Sequence, residues 1–141
     1  MEDNRSLTPE QLLRKLKSII IDLHKALGPG LLESAYKNAL YTYLIKHGFD
    51  VKIEHPVDIV FEDIRIPKAY YIDMLVNDCV IIELKSVSEI TLVHHRQLRT
   101  YMHLANMPFG ILANFNCYNM FRDGLRSWKY EDTAKPLGFP Q

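Results

Sequence analysis

The chain predicts an α/β protein in which a mixed β-sheet is flanked by helices. Three observations carry that expectation. Apolar residues recur at helical spacing through the first third of the chain; the period switches to two from Val51 onward; and a helix-length segment then separates two strongly apolar runs. The predicted order is ααβββαβ with short late strands.

The first helix starts at Ser6-Leu7-Thr8-Pro9-Glu10, with Thr8 as N-cap and Pro9 at the first helical position, where a missing N–H costs nothing. Leu12, Leu13, Leu16, Ile19, Ile20, Leu23 and Leu27 form its apolar stripe. Gly28-Pro29-Gly30 breaks it. A second helix is expected from about Leu31 to Lys46, ended by His47-Gly48, with Gly30 as N-cap and Glu33 at the position of a capping-box acid. Val51–Glu54 and Val57–Phe61 alternate as one strand that Pro56 interrupts. After a turn at Glu62-Asp63 come two apolar strands, around Asp73 and around Glu83. Residues from Leu92 to Asn106 give a third helix, and Phe109–Phe115 a buried strand. A hairpin is expected around Asp123-Gly124, joining Met120-Phe121 to Leu125–Tyr130. One domain over residues 1–130 and a loose tail over 131–141, with Pro136, Gly138 and Pro140, complete the reading.

Composition excludes several classes. A hydrophobic content of 48% is too high for a disordered chain. Lys+Arg 17 against Asp+Glu 17 leaves a net charge of +0, so nucleic-acid binding would need local patches or a cation that offsets carboxylates. Apolar runs are only a few residues long, which argues against a membrane span, and the polar Met1-Glu2-Asp3-Asn4-Arg5 start does not resemble a signal peptide. Cys79 and Cys117 show neither CxxC nor framework spacing, so a reduced, cytoplasmic protein is expected. The scattered His24, His47 and His55 lack zinc-ligand spacing, and there is no P-loop, dinucleotide glycine motif or serine or cysteine nucleophile constellation.

The chemistry concentrates in two strands. Tyr70-Tyr71-Ile72-Asp73-Met74-Leu75-Val76 carries one acid, and Cys79-Val80-Ile81-Ile82-Glu83-Leu84-Lys85 carries an acid and a lysine two residues apart. Burying an unpaired charge costs several kcal/mol, on the order of a whole side-chain burial, so three charges in such runs call for an explanation. Two carboxylates and a lysine on one sheet face suit metal-assisted phosphodiester hydrolysis, the acids holding a divalent cation and the lysine offsetting anionic charge. The same residues also suit a salt bridge on a solvated edge strand. The catalytic reading demands a register: Asp73 lies across from Glu83 if Asn77-Asp78-Cys79 is a three-residue loop, whereas a two-residue Asn77-Asp78 turn puts the acids on opposite faces.

Glu33 is either a helix-capping acid or a further acid for the same site, and Tyr36 one turn later reads as packing. His94, Gln97 and Tyr101 form one stripe of the third helix, which faces either the site or solvent. His95, Arg96, Arg99 and His103 read as surface residues, with Arg96 or Arg99 within reach of a backbone phosphate.

Gly30-Leu31-Leu32-Glu33-Ser34-Ala35-Tyr36 resembles the motif that names the GxxExxY protein family. The resemblance continues through Asp73, Glu83-Leu84-Lys85, Val93-His94, Gln97-Leu98-Arg99-Thr100-Tyr101 and Asn114-Phe115-Asn116, over roughly residues 15–130. That family is similar to a compact branch of the PD-(D/E)XK nuclease superfamily with a restriction-endonuclease-like fold, and the Gln97-x-x-x-Tyr101 pattern resembles its RecB-like exonucleases. The resemblance implies a nuclease in which Glu33, Asp73 and Glu83, with the Leu84 carbonyl, hold Mg²⁺ or Mn²⁺. Lys85 would position the attacking water, and Gln97 and Tyr101 would orient phosphate or active-site groups. His95 stands where the family pattern has an acid. The implied partner is nucleic acid, DNA in preference to RNA. The alternatives are a binding module that keeps the fold without turnover, and a structural partner whose Leu/Tyr-rich second helix is a homodimer surface.

Overall fold

The computed structural model describes residues 3–133. Helix α1 (Pro9–Leu27) begins as expected: Thr8 accepts from the Gln11 N–H at 3.2 Å while Gln11 reaches back to the Thr8 N–H at 3.0 Å. Helix α2 spans Glu33–Lys46, two residues shorter at its start than expected. Its N-cap is Leu32, not Gly30, and no side chain caps it. Glu33 is therefore the first helical residue, and the capping-box alternative falls away. The reason lies in the preceding loop. The Tyr36 hydroxyl donates to the Gly28 carbonyl at 2.6 Å and accepts the Leu31 N–H at 3.1 Å, while Gly28 and Gly30 take φ of 70° and 105°. Those conformations favour glycine. Tyr36 is fully buried and stacks on Phe115 at 4.3 Å, so the tyrosine of the motif holds the loop that launches Glu33.

Five strands follow in the spatial order β1-β2-β3-β4-β5: β1 (Val51–Phe61), β2 (Ile64–Val76), β3 (Val80–Lys85), β4 (Phe109–Asn114) and β5 (Leu125–Lys129). All pairs are antiparallel except β3–β4, which α3 (Leu92–Ala105) makes parallel by crossing over between them. Pro56 does not interrupt β1. It pairs with Tyr71, because β1 is the edge strand, where a residue without an N–H is tolerated. The irregularity comes one residue after Val57, as a register shift before Ile59.

The expected hairpin at Asp123-Gly124 is also replaced. Met120–Gly124 is a π-helical turn, and β5 pairs directly with β4. A Cβ at Gly124 would run into the Asn114 carbonyl, so the turn closes on β4 only because that residue is glycine. Tyr130–Thr133 form a single helical turn, α4, at the start of the expected tail; residues 134–141 lie outside the described ones.

The sheet separates two cores. Leu12, Leu16 and Ile20 of α1 and Tyr36, Leu40 and Leu44 of α2 pack on Met74, Val76, Val80, Ile82 and Leu84. On the other face, Leu98, Tyr101 and Met102 of α3 pack on Ile72, Leu75, Ile81 and Leu112. Ile72 and Met74 should share a face in a regular strand, yet they lie in different cores. The alternation of β2 breaks at Asp73.

Candidate active site

That break is where the site is built. Val76 pairs with Val80 and Met74 with Ile82 across a three-residue connection, in which Asn77 and Asp78 take positive φ of 53° and 48°. Continued by one step, this register sets Asp73 opposite Glu83, as the catalytic reading requires. The ladder does not continue, however. The Asp73 N–H donates to Glu83 Oε1 at 3.1 Å, and the Leu84 N–H donates to Asp73 Oδ2 at 2.9 Å. Strands β2 and β3 thus fork at Asp73, and two carboxylates take the places of two ladder carbonyls. On the other side, Glu54 lies between the Ile53–Met74 and His55–Ile72 pairs and turns β1 with a φ of 49°.

Glu83 is 4% exposed, and its carboxyl is pushed up to about 9. Burial is the main cause; the neighbouring Asp73 charge adds to it, and Lys85 only partly opposes it. Without a further positive charge the pair therefore holds a proton at neutral pH. Lys85, half-buried at the end of β3, donates to Gln97 Oε1 of α3 at 3.1 Å. Gln97 also hydrogen-bonds Tyr101, whose phenol is pushed up to about 12 by burial and by the Glu83 charge, so it stays protonated. Lys85, Gln97 and Tyr101 accordingly form one chain of donors along the acid pair.

Glu33 stands exposed at the mouth, close enough for Asp73, Lys85 and Lys37 to act on it; packing around its carboxyl and the Asp73 charge raise its pKa. Two residues of the site escaped the sequence reading. Lys37 forms an ion pair with Glu54 and approaches Asp73 at 3.6 Å. Burial works against its charge, but Glu54 and Asp73 outweigh that and hold the ammonium above its ordinary range. The available signal was the spacing of Glu33 and Lys37, one helical turn apart on the same face. Asn114, 3% exposed, was noticed only as part of a motif. Its side chain accepts from the Val87 N–H at 3.0 Å and donates to the Val87 carbonyl at 2.9 Å, clamping the loop that follows Lys85.

His94 leaves the expected stripe. Its Nδ1 accepts the Thr91 N–H at 3.0 Å, which closes the start of α3. His95 and Arg99 are not simple surface residues either. Trp128 Nε1 donates to His95 Nδ1 at 3.0 Å, and both side chains are half-buried, with Arg99 over the Trp128 ring.

Whether these residues suit a divalent cation can be judged from the donors. Asp73 and Glu83 supply hard oxygens, and the Leu84 peptide faces the same fork, because its N–H already points to Asp73. Among the described residues, no three His, Cys, Asp or Glu side chains form a closed metal cage. One or two carboxylates with the remaining positions left to water and phosphate is the way Mg²⁺ is ordinarily held, so the donor set fits.

A family model described as the PD-(D/E)XK nuclease superfamily matches residues 10–127, which is most of the chain. The protein belongs to that superfamily, and its mixed five-stranded sheet between helices is the restriction-endonuclease-like arrangement expected from it. No curated protein and no solved structure matches the chain. No helix among the described residues is long and apolar enough to cross a membrane.

Because no side chain caps α2, Glu33 can be tested without losing a cap. Glu33→Gln is expected to keep its melting temperature while weakening Mn²⁺ binding by roughly tenfold, as one carboxylate near the cation is neutralised. Calorimetric titration measures this, and wild-type affinity would place Glu33 outside the site.

Proposed function

We propose that the protein is a Mg²⁺- or Mn²⁺-dependent nuclease of the GxxExxY branch, folded as one domain and hydrolysing phosphodiester bonds of DNA. The observation that carries this reading is the acid pair at the strand fork, with Lys85 and its Gln97–Tyr101 partners alongside. Asp73 and Glu83 would hold the cation, with the Leu84 carbonyl and with Glu33 at the mouth. When bound, the cation would supply Lewis-acid stabilisation of the phosphate. Lys85 would hold the attacking water and offset the charge that develops on phosphate. Gln97 fixes the ammonium, and Tyr101 remains a proton donor throughout the working range. Free Cys79 and Cys117 fit a reducing compartment such as the cytoplasm.

A second reading, nucleic-acid or protein binding without turnover, draws support from Lys37, whose ammonium already faces Asp73 and would compete with a cation. Incubation of the purified protein with Mn²⁺ and labelled single- and double-stranded DNA and RNA separates the two. DNA cleavage that needs the metal and disappears in Asp73→Ala/Glu83→Ala is expected. No cleavage of any substrate would leave the binding reading.

A further inference from the structure

A second surface begins beside the cleft and runs over to the outer face of α1. A hollow of about 610 Å³ opens at Gly30 and Ser88, next to the end of β3, and is also lined by Tyr118. Tyr118 lines a second hollow of about 410 Å³ together with Lys25 and Phe121. Lys25 and Phe121 in turn line a third, of about 460 Å³, with Arg14 and Lys17. The shared residues make these one continuous groove between α1 and the segment joining β4 to β5.

Its charge departs from the neutral balance of the whole chain. Arg14, Lys17 and Lys25 form no ion pair among the described residues. Lys129 shares the face of β5 with Leu125 and Ser127, which line the same groove. Lys17 is held below its ordinary range by burial and then by the Lys129 charge, so positive potential accumulates there. Opposing this are Asp22 and Asp123, of which Asp123 is already bound to Arg122 at 2.9 Å. Between the cations stand two of the most exposed rings in the chain, Tyr118 at 94% and Phe121 at 75%. Neither stacks on another aromatic ring among the described residues. Phe121 is presented by the π-helical turn, an irregularity that often marks functional positions.

Cations that follow a groove, with bare rings between them, match the two needs of an unpaired strand: neutralised phosphates and platforms for unstacked bases. A duplex offers no free base faces to such rings. We propose that this groove binds a single strand of nucleic acid and leads it to the cleft, with its phosphates on Arg14, Lys17 and Lys25 and its bases on Tyr118 and Phe121. The destination of the strand rests on the nuclease reading; the binding itself does not.

The test is fluorescence anisotropy with a labelled oligothymidylate, in chelator so that turnover plays no part. Wild type is expected to bind it more tightly than a duplex. Lys17→Ala/Lys25→Ala should weaken binding at least tenfold and reduce the salt-dependence slope by about one, at roughly 0.7 per lost phosphate contact on a single strand. Tyr118→Ala and Phe121→Ala should each cost roughly tenfold, the scale of one base stack. All four side chains lie outside both cores, and thermal melts check that the variants fold. Unchanged affinity in every variant overturns the groove, even if wild type cleaves DNA. Groove-dependent binding by a protein that cleaves nothing upholds the groove and removes the nuclease reading. Self-association lost in Lys17→Ala/Lys25→Ala, without oligonucleotide binding, would give the groove to a second copy of the chain and overturn the proposal.

Discussion

Glu83→Gln is expected to stabilise the metal-free protein while abolishing both cleavage and the stabilisation that Mn²⁺ confers. In the folded chain the Glu83 carboxyl titrates at about 9, against 4.5 as its reference value. Between those values the folded state holds a proton that the unfolded state releases. The unfolding free energy therefore falls as pH rises through that window. Stability from the neutral Glu83 is complete below about pH 4.5 and gone above about pH 9. Glutamine imitates the neutral acid: its Oε1 can still accept the Asp73 N–H, and its amide can donate towards the Asp73 carboxyl. The variant should thus melt at least about 4 °C higher than wild type at pH 8 in chelator, the shift that roughly 1–2 kcal/mol produces in a domain of this size. Its melting temperature should also depend less on pH between 5 and 9. Parallel pH profiles for the two proteins would refute the assignment of the buried proton to Glu83. With Mn²⁺ the order should reverse, because the variant has lost the charge that a cation would neutralise.

Lys85→Ala should lower single-turnover cleavage by about two orders of magnitude or more, the scale on which one group that stabilises developing charge is usually worth. Its ammonium shares a sheet face with Glu83 and is aimed by the bond to Gln97. The charge it offsets grows as water attacks phosphorus, so the loss should fall on the chemical step and not on affinity. Metal affinity should be unchanged or slightly tighter, since a positive neighbour is removed. Lys85→Arg should rescue poorly, because a planar guanidinium cannot replace a compact ammonium at a fixed point. Near-wild-type turnover in Lys85→Ala, with a normal melting curve, would take Lys85 out of the chemistry.

Much of this was legible in the chain itself. Thr8-Pro9, the apolar stripe of α1 and the crossover from β3 through α3 to β4 all follow from local pattern, because each element is buried on one face and its period shows it. The acid pair could be located because charge in two apolar strands is costly, and the odd-numbered connection at Asn77-Asp78-Cys79 then followed from the demand that the acids meet. What escaped depended on contacts distant in sequence. The start of α2 is set by the Tyr36 hydroxyl reaching back to Gly28 and Leu31, which no capping rule describes. Lys37 meets Glu54 and Asp73 only once β1 and α2 are packed. Asp123-Gly124 has the composition of a hairpin turn, but Gly124 is needed for close approach to Asn114, so the chain closes as a π-helical turn.

The strand fork also determines how such a cleft can breathe. Asp73 and Glu83 are tied to each other's strands through backbone N–H groups, so their spacing moves only if the sheet itself is opened. Glu33 and Lys37 ride on α2, against one core, whereas Gln97 and Tyr101 ride on α3, against the other. Sliding of either helix across its own face of the sheet changes the width of the mouth and leaves the acid pair undisturbed. Adjustment to substrates of different girth is then a matter of shear between layers, and the two jaws can shift independently of the anvil on which they close.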